Sequence, residues 1–428
     1  MDPFESLPTE IVENIIFYSA DFVGIESLLS VSPWVNSRIF QAQPRRITLD
    51  LINSNSITTM PEVQQLLRNV VIINNPSTHF PTSESCLHLY TNNKGDCIPG
   101  SAFDALPDNI TTLEIFHIIH IAANIQHLAC MCLYTMQQNF ISAVGNSLGS
   151  AASQRAAEPI AWVEEYPVYW ALWHLQHYSA LRKAAKFRWG WPKESVKKFS
   201  DNYIAHNDIF CILTEVIWTV AAILADLGLH PLYGHTTKAK REEKDKAEEE
   251  GHEEESTKAA WEYPTETPIP FFASLELPLH RDYKYYSNYP IWSPRPVPDA
   301  EIEETWFRTP YYRLGLGQAR MFRAYTSGSP LPRFRQAWLD MRQIQPFRRI
   351  GVMLWNKWRM YSVGLFTTIP RGASVRTPDG DFVREEDFRL SRYDVFSRWL
   401  ALVGKPPPDV GENWENVGST LARYINPC

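Results

Sequence analysis

Apolar residues recur at helical spacing along this chain. Prolines restart the pattern at positions where a first helical turn tolerates them, which restricts the fold to a mainly α-helical one. Leu7, Ile11, Ile15 and Tyr18 lie on one helical side with Val12 and Ile16 beside them, and Pro8 stands in the first turn. A short apolar cluster follows at Ile25, Leu28, Leu29 and Val31. Ser32-Pro33 then reads as N-cap and first position of a third helix carrying Val35, Ile39 and Phe40. Pro44 predicts a fourth helix through about Ser54, and Pro61 a fifth bearing Val63, Leu66, Leu67, Val70 and Ile73. Longer patterns run from Asp108, read as an N-cap, to about Asn146, from Pro159 through Arg188, and from about Asp201 to Leu229. Helical patterns return from about Ala300 to Met360, with a last helix from about Leu390 to Val403. The only β signal is Thr377-Pro378-Asp379-Gly380, a turn that could close a small hairpin. No 20–50-residue period is visible, which leaves solenoids and propellers without support.

The 428 residues are enough for two or three units and a sizeable core. Four stretches are expected. Residues 1–45 form a three-helix unit and 46–235 a helical body. Residues 236–260 form a charged insert, disordered or a solvated helix, in which six basic residues face nine acidic ones between Lys238 and Lys258. Residues 261–428 begin as a connection with nine prolines between Pro264 and Pro310 and continue as an Arg- and aromatic-rich helical part that packs on the body. Tyr283, Tyr285, Tyr286 and Trp292 argue that the connection lies on the body.

A net charge of −7 names no nucleic-acid partner. The opening Met1-Asp2-Pro3-Phe4-Glu5 has neither a basic nor an apolar leader region, so no secretory signal is expected. The six cysteines form no C-x-x-C pair and read as reduced thiols of a cytoplasmic or nuclear protein. The best membrane-span candidate, Ile209–Leu227, carries Glu215 and Asp226 and reads instead as a buried core helix. No nucleophile elbow, zinc-protease, phosphate-loop or paired-carboxylate motif appears, so neither catalysis nor a cofactor is expected. Leu314-Gly315-Leu316-Gly317 follows no clear strand and makes no phosphate loop.

Three short helices in about forty residues carry more aliphatic surface than they can bury among themselves. Some of it must face the rest of the chain or another protein. At roughly 1.5–3 kcal/mol per large aliphatic side chain buried, four or five such residues could sustain a specific contact. Leu7-Pro8-Thr9-Glu10-Ile11-Val12, Ile15-Ile16-Phe17-Tyr18, Leu28-Leu29-Ser30-Val31-Ser32-Pro33 and Ile39-Phe40 resemble the F-box, in the version found in fungal F-box-like proteins. Ser19 stands where many F-boxes have Leu. Downstream, Arg348-Arg349-Ile350-Gly351-Val352-Met353-Leu354-Trp355-Asn356 and Gly364-Leu365-Phe366 resemble a segment recurring near the end of such proteins.

The resemblance implies a receptor that docks on a Skp-type adaptor, and through it a cullin of a ubiquitin ligase, while the remaining chain selects a protein substrate. Carried over residue by residue, Leu7, Pro8, Ile11, Ile15, Leu28 and Val31 are the candidate adaptor contacts. The alternatives are that these helices only cap the body, that the chain is a scaffold outside any ligase, or that it is a helical nucleic-acid-associated protein.

Two further patterns bear on chemistry. His117, His120, Asn124 and His127 share one side of the long helix, within about 80° of each other, with Cys130 and Cys132 one turn on. No carboxylate lies among them, so a polar stripe is favoured over a metal site. Eleven basic residues, ten of them Arg, lie between Arg308 and Arg359 with Asp340 as the only acid. Arg320, Arg323, Arg333, Arg335, Arg348 and Arg349 are candidates for an acidic or phosphorylated ligand surface, and the interleaved aromatics would also suit nucleic acid. The favoured alternative packs these arginines against the chain's own acidic part.

Overall fold

The computed structural model describes residues 2–19, 21–86, 106, 110–196, 198–199, 211–227, 229, 288–296, 346–352, 354–365, 375–376, 382–383 and 392–404. The charged insert, Asp108, the start of the Asp201 pattern, most of the Pro-rich connection and Arg320, Arg323, Arg333 and Arg335 lie outside them. The protein is mainly α-helical, as the periodicity predicts. Ten helices are described: α1 Thr9–Ser19, α2 Phe22–Val31, α3 Pro44–Ser54, α4 Pro61–Asn74, α5 Thr112–Leu148, α6 Ser150–Ala156, α7 Trp162–Lys183, α8 Cys211–Asp226, α9 Lys357–Ser362 and α10 Arg392–Leu402. Two wider-wound π-type segments, Val35–Phe40 and Ala184–Arg188, and a short 3-10 turn, Glu84–Cys86, are described besides. The strands β1 Val375–Arg376 and β2 Phe382–Val383 pair antiparallel and bracket the expected turn.

The 37-residue α5 is the central column. Its start is fixed by a capping box. Thr111 Oγ1 accepts from Glu114 N at 3.2 Å, and the Glu114 carboxylate accepts from Thr111 N at 2.8 Å. The cap is therefore Thr111, three residues past the expected Asp108. Its apolar residues point almost all round because partners surround it. α2, α3, α7, α8 and α10 all pack against it. α5 is long and apolar enough to cross a membrane, but 83% of its most apolar window is buried inside the protein. On the Ile209–Leu227 pattern, Val216, Val220, Ala221, Ile223 and Leu224 are buried as well.

α1 packs on α3, across residue 45, and α2 lies along α5. The core is one cluster running from Val12 to Leu402, so the N-terminal helices share it with the body. The described residues between 346 and 365, which carry most of the downstream resemblance, form a wedge in that core. Phe347, Trp355 and Leu365 are wholly buried, and Trp355 Nε1 donates to Ile350 O at 2.7 Å. Gly351 makes the turn possible. Its φ is +66°, and a Cβ there would stand 3.1 Å from Met136 Sδ.

Candidate functional site

α1 divides its apolar residues between two directions. Val12 and Ile16 are 0% and 2% exposed and enter the core. Ile11, Ile15 and Tyr18 are 46%, 42% and 79% exposed, and Pro8 is exposed beside them. At 3.6 residues per turn these four positions fall within about 80° of one another, so they form one outward stripe. Phe17, also exposed, meets Tyr18 edge-on with ring centroids 5.2 Å apart. Leu7 and Leu28 are half-buried and pack on the core edge, while Val31 at the end of α2 is 73% exposed. Of the six candidate contacts, Pro8, Ile11, Ile15 and Val31 thus face outward, and Leu7 and Leu28 are shared with the core.

Local bonds hold this face in place. Asp21 caps α2 by accepting from Val23 N at 3.1 Å. The Asp2 carboxylate accepts from Ser32 Oγ at 2.6 Å and from Trp34 N at 3.1 Å, which ties the N-terminus to the end of α2. The Ser32 bond, with the backbone bonds behind it, holds the Asp2 carboxyl below its usual range. Ser32 Oγ in turn accepts from Val35 N at 3.1 Å, the capping role expected of it. Arg46 pairs with Glu13 across α3 and α1 at 2.7 Å.

The histidine stripe does not converge. His120 Nδ1 lies 2.6 Å from Glu26 of α2, while Asn124 and His127 are buried. Among the described residues, no group of three or more His, Cys, Asp or Glu is placed to hold a metal.

The described arginines of the basic stretch are engaged within the chain. Arg348 is buried, Arg349 pairs with Asp226 of α8 at 2.9 Å, and Arg359 pairs with Glu164. An arginine this deep is retained where carboxylates and carbonyls satisfy its donors. Arg349 meets an acidic residue of the chain itself, which is the arrangement the favoured alternative describes.

A second polar centre lies where α5 meets α7, covered by residues 288–296. Glu165 is fully buried. Its carboxylate accepts from Trp292 Nε1 at 2.8 Å and from Arg295 N at 2.8 Å. Burial pushes its carboxyl up to about 7, with those two bonds opposing. Cys130 and Tyr169 sit beside it, and burial raises both, the thiol to about 12. Such a thiol is an inert core group rather than a nucleophile. Sequence reasoning missed this centre. The available signal was Glu164-Glu165 in the first turn of a segment otherwise rich in Trp and Tyr, where two carboxylates must find partners.

A pH effect follows from Glu165. Between the ordinary carboxylate range and about 7 the folded chain holds a proton that the unfolded chain has released. This stabilising contribution is complete at low pH and is lost as pH rises through about 7. It amounts to roughly 2–3 kcal/mol. Burial holds His174 and His177 down at about 3, so their contribution runs the other way and is lost as pH falls below the ordinary imidazole range. The quantity to measure is therefore the stability of wild type minus that of Glu165→Gln, from urea unfolding at pH 5 and pH 8. The difference should fall by at least about 1.5 kcal/mol between them. An unchanged difference would contradict the buried carboxyl's protonation.

No family model, no curated protein and no solved structure matches this chain.

Proposed function

We propose that this protein is a substrate-receptor subunit of an SCF-type ubiquitin ligase, docking on a Skp-type adaptor through the outer side of α1 and holding a protein substrate on the helical body. The observation that carries the reading is the outward stripe. Ile11, Ile15 and Tyr18 stay exposed while their neighbours Val12 and Ile16 are sealed in the core. Aliphatic and aromatic side chains set in a row on a packed helix fit the helix-in-groove mode of recognition. They coincide with the residues that carry the F-box resemblance.

The mechanism is bridging. The receptor raises the effective concentration of substrate at the ligase's transferring subunit and supplies no reacting group of its own. A specific interface buries at least about 1,000 Å² in all, so the stripe acts as its anchor cluster and the surrounding surface completes it.

Co-purification tests the reading. The tagged chain, expressed in fungal cells with the proteasome inhibited, should recover both the adaptor and a cullin. Adaptor without cullin would place the protein outside any ligase as a scaffold. Recovery of neither would remove the reading.

A further inference from the structure

We infer that the groove between α5 and α7 is a receptor for extended, proline-rich, tryptophan-anchored peptide segments, and that this chain fills it in cis with its own residues 288–296. The inference stands apart from the docking face on α1 and needs no adaptor.

The two sides of this contact are built differently. On the receptor side, Gln126, Cys130, Glu165 and Tyr169 are buried. Gln126 Oε1 accepts from Val23 N at 3.3 Å, and its Nε2 donates to Asp21 Oδ1 at 2.6 Å, so its amide is fixed before it meets the strap. The strap is laid on the surface. None of residues 288–296 is fully buried, and only Tyr289, Trp292 and Pro294 are half-buried. The core wedge at 346–365 contrasts with it, for it sinks whole aromatic side chains into the interior.

The bonds between the two sides read a peptide of defined chemistry. Gln126 Nε2 donates to Trp292 O at 3.0 Å, and Glu165 receives the Trp292 indole N–H. Pro294 and Pro296 have no backbone N–H, which leaves the amide of Arg295 as the one donor between them. That amide points at Glu165 Oε2, 2.8 Å away. Tyr289 meets Tyr134 edge-on with centroids 6.1 Å apart. A Trp followed two residues later by Pro-x-Pro satisfies every one of these donors and acceptors except the tyrosine edge. Such a segment is already extended when free and loses little entropy on docking. Glu165 and Asp21 favour a neutral or basic sequence.

The test uses a fluorescein-labelled peptide with the sequence of residues 288–296, read by anisotropy against the full chain. Trp292→Ala weakens the strap's own hold, so this variant should bind the peptide about tenfold or more tighter than wild type. A peptide whose own tryptophan is replaced by alanine should bind about tenfold more weakly. A folded Trp292→Ala chain that binds no better than wild type would overturn the inference and make the strap ordinary structure. Hydrogen exchange on the wild-type chain decides the matter should that variant fail to fold. Amides 291–293 and 295 should exchange at least about 100-fold faster than those of α5 around Leu128, since a ligand held in cis opens locally. Equal protection would overturn the inference equally well.

Discussion

Replacing Arg359 by methionine is expected to remove about 3–5 kcal/mol of stability, among the largest losses for any single substitution in this chain. Glu164 and Arg359 are 0% and 2% exposed, and their side chains meet at 2.8 Å. Burial alone works against the guanidinium's charge, but the carboxylate of Glu164 overrides it and holds the group more firmly protonated than usual. The arginine also donates to three carbonyls, that of Ala156 at the end of α6 and those of Glu158 and Pro159 before α7, at 2.8–2.9 Å. Glu164 meanwhile accepts from Ala161 N at 2.9 Å, at the start of α7, and from Asn356 N at 3.0 Å, in the core wedge. The variant leaves a buried carboxylate uncompensated and three carbonyls without donors. Urea unfolding of wild type, Arg359→Met and the double variant Glu164→Gln/Arg359→Met measures this. The double variant should recover about half of the loss, because the stranded charge is gone. A single-variant loss below about 1 kcal/mol would mean that water reaches the pair.

That pair also marks the limit of what the sequence discloses. Pro44 and Pro61 place α3 and α4 correctly at both starts, because a proline in the first turn is a local signal with a local cause. Ser32 caps the third helical segment for the same reason. Asp108 and Thr111 are both acceptable caps, and the reciprocal bond with Glu114 is visible only once the helix phase is known. α1 leans on α3 across residue 45, a contact that no local pattern announces. Periodicity identifies an apolar side without saying what covers it. Partners 195 residues apart, such as Glu164 and Arg359, leave no spacing signal at all. Charge patterning is read along the chain, whereas Arg349 and Arg359 are matched across it, to Asp226 and Glu164.

Two adjacent residues on α1 should therefore behave in opposite ways. Ile11→Asp is expected to leave the protein folded, within about 1 kcal/mol of wild type, because the side chain is half in solvent. A carboxylate in the first turn of α1 also suits the helix dipole. The same change should lower adaptor capture by about 100-fold or more, since it sets an unpaired charge in the middle of an apolar contact. Val12→Asp puts the same carboxylate one position further on, into a fully buried site, and should cost several kcal/mol and unfold the N-terminal helices. Capture on immobilised adaptor, read together with urea midpoints, separates the two cases. If Ile11→Asp binds adaptor as wild type does, the stripe is not the docking anchor. If it unfolds like Val12→Asp, the outer side of α1 serves the protein's own core, and the ligase reading falls with it.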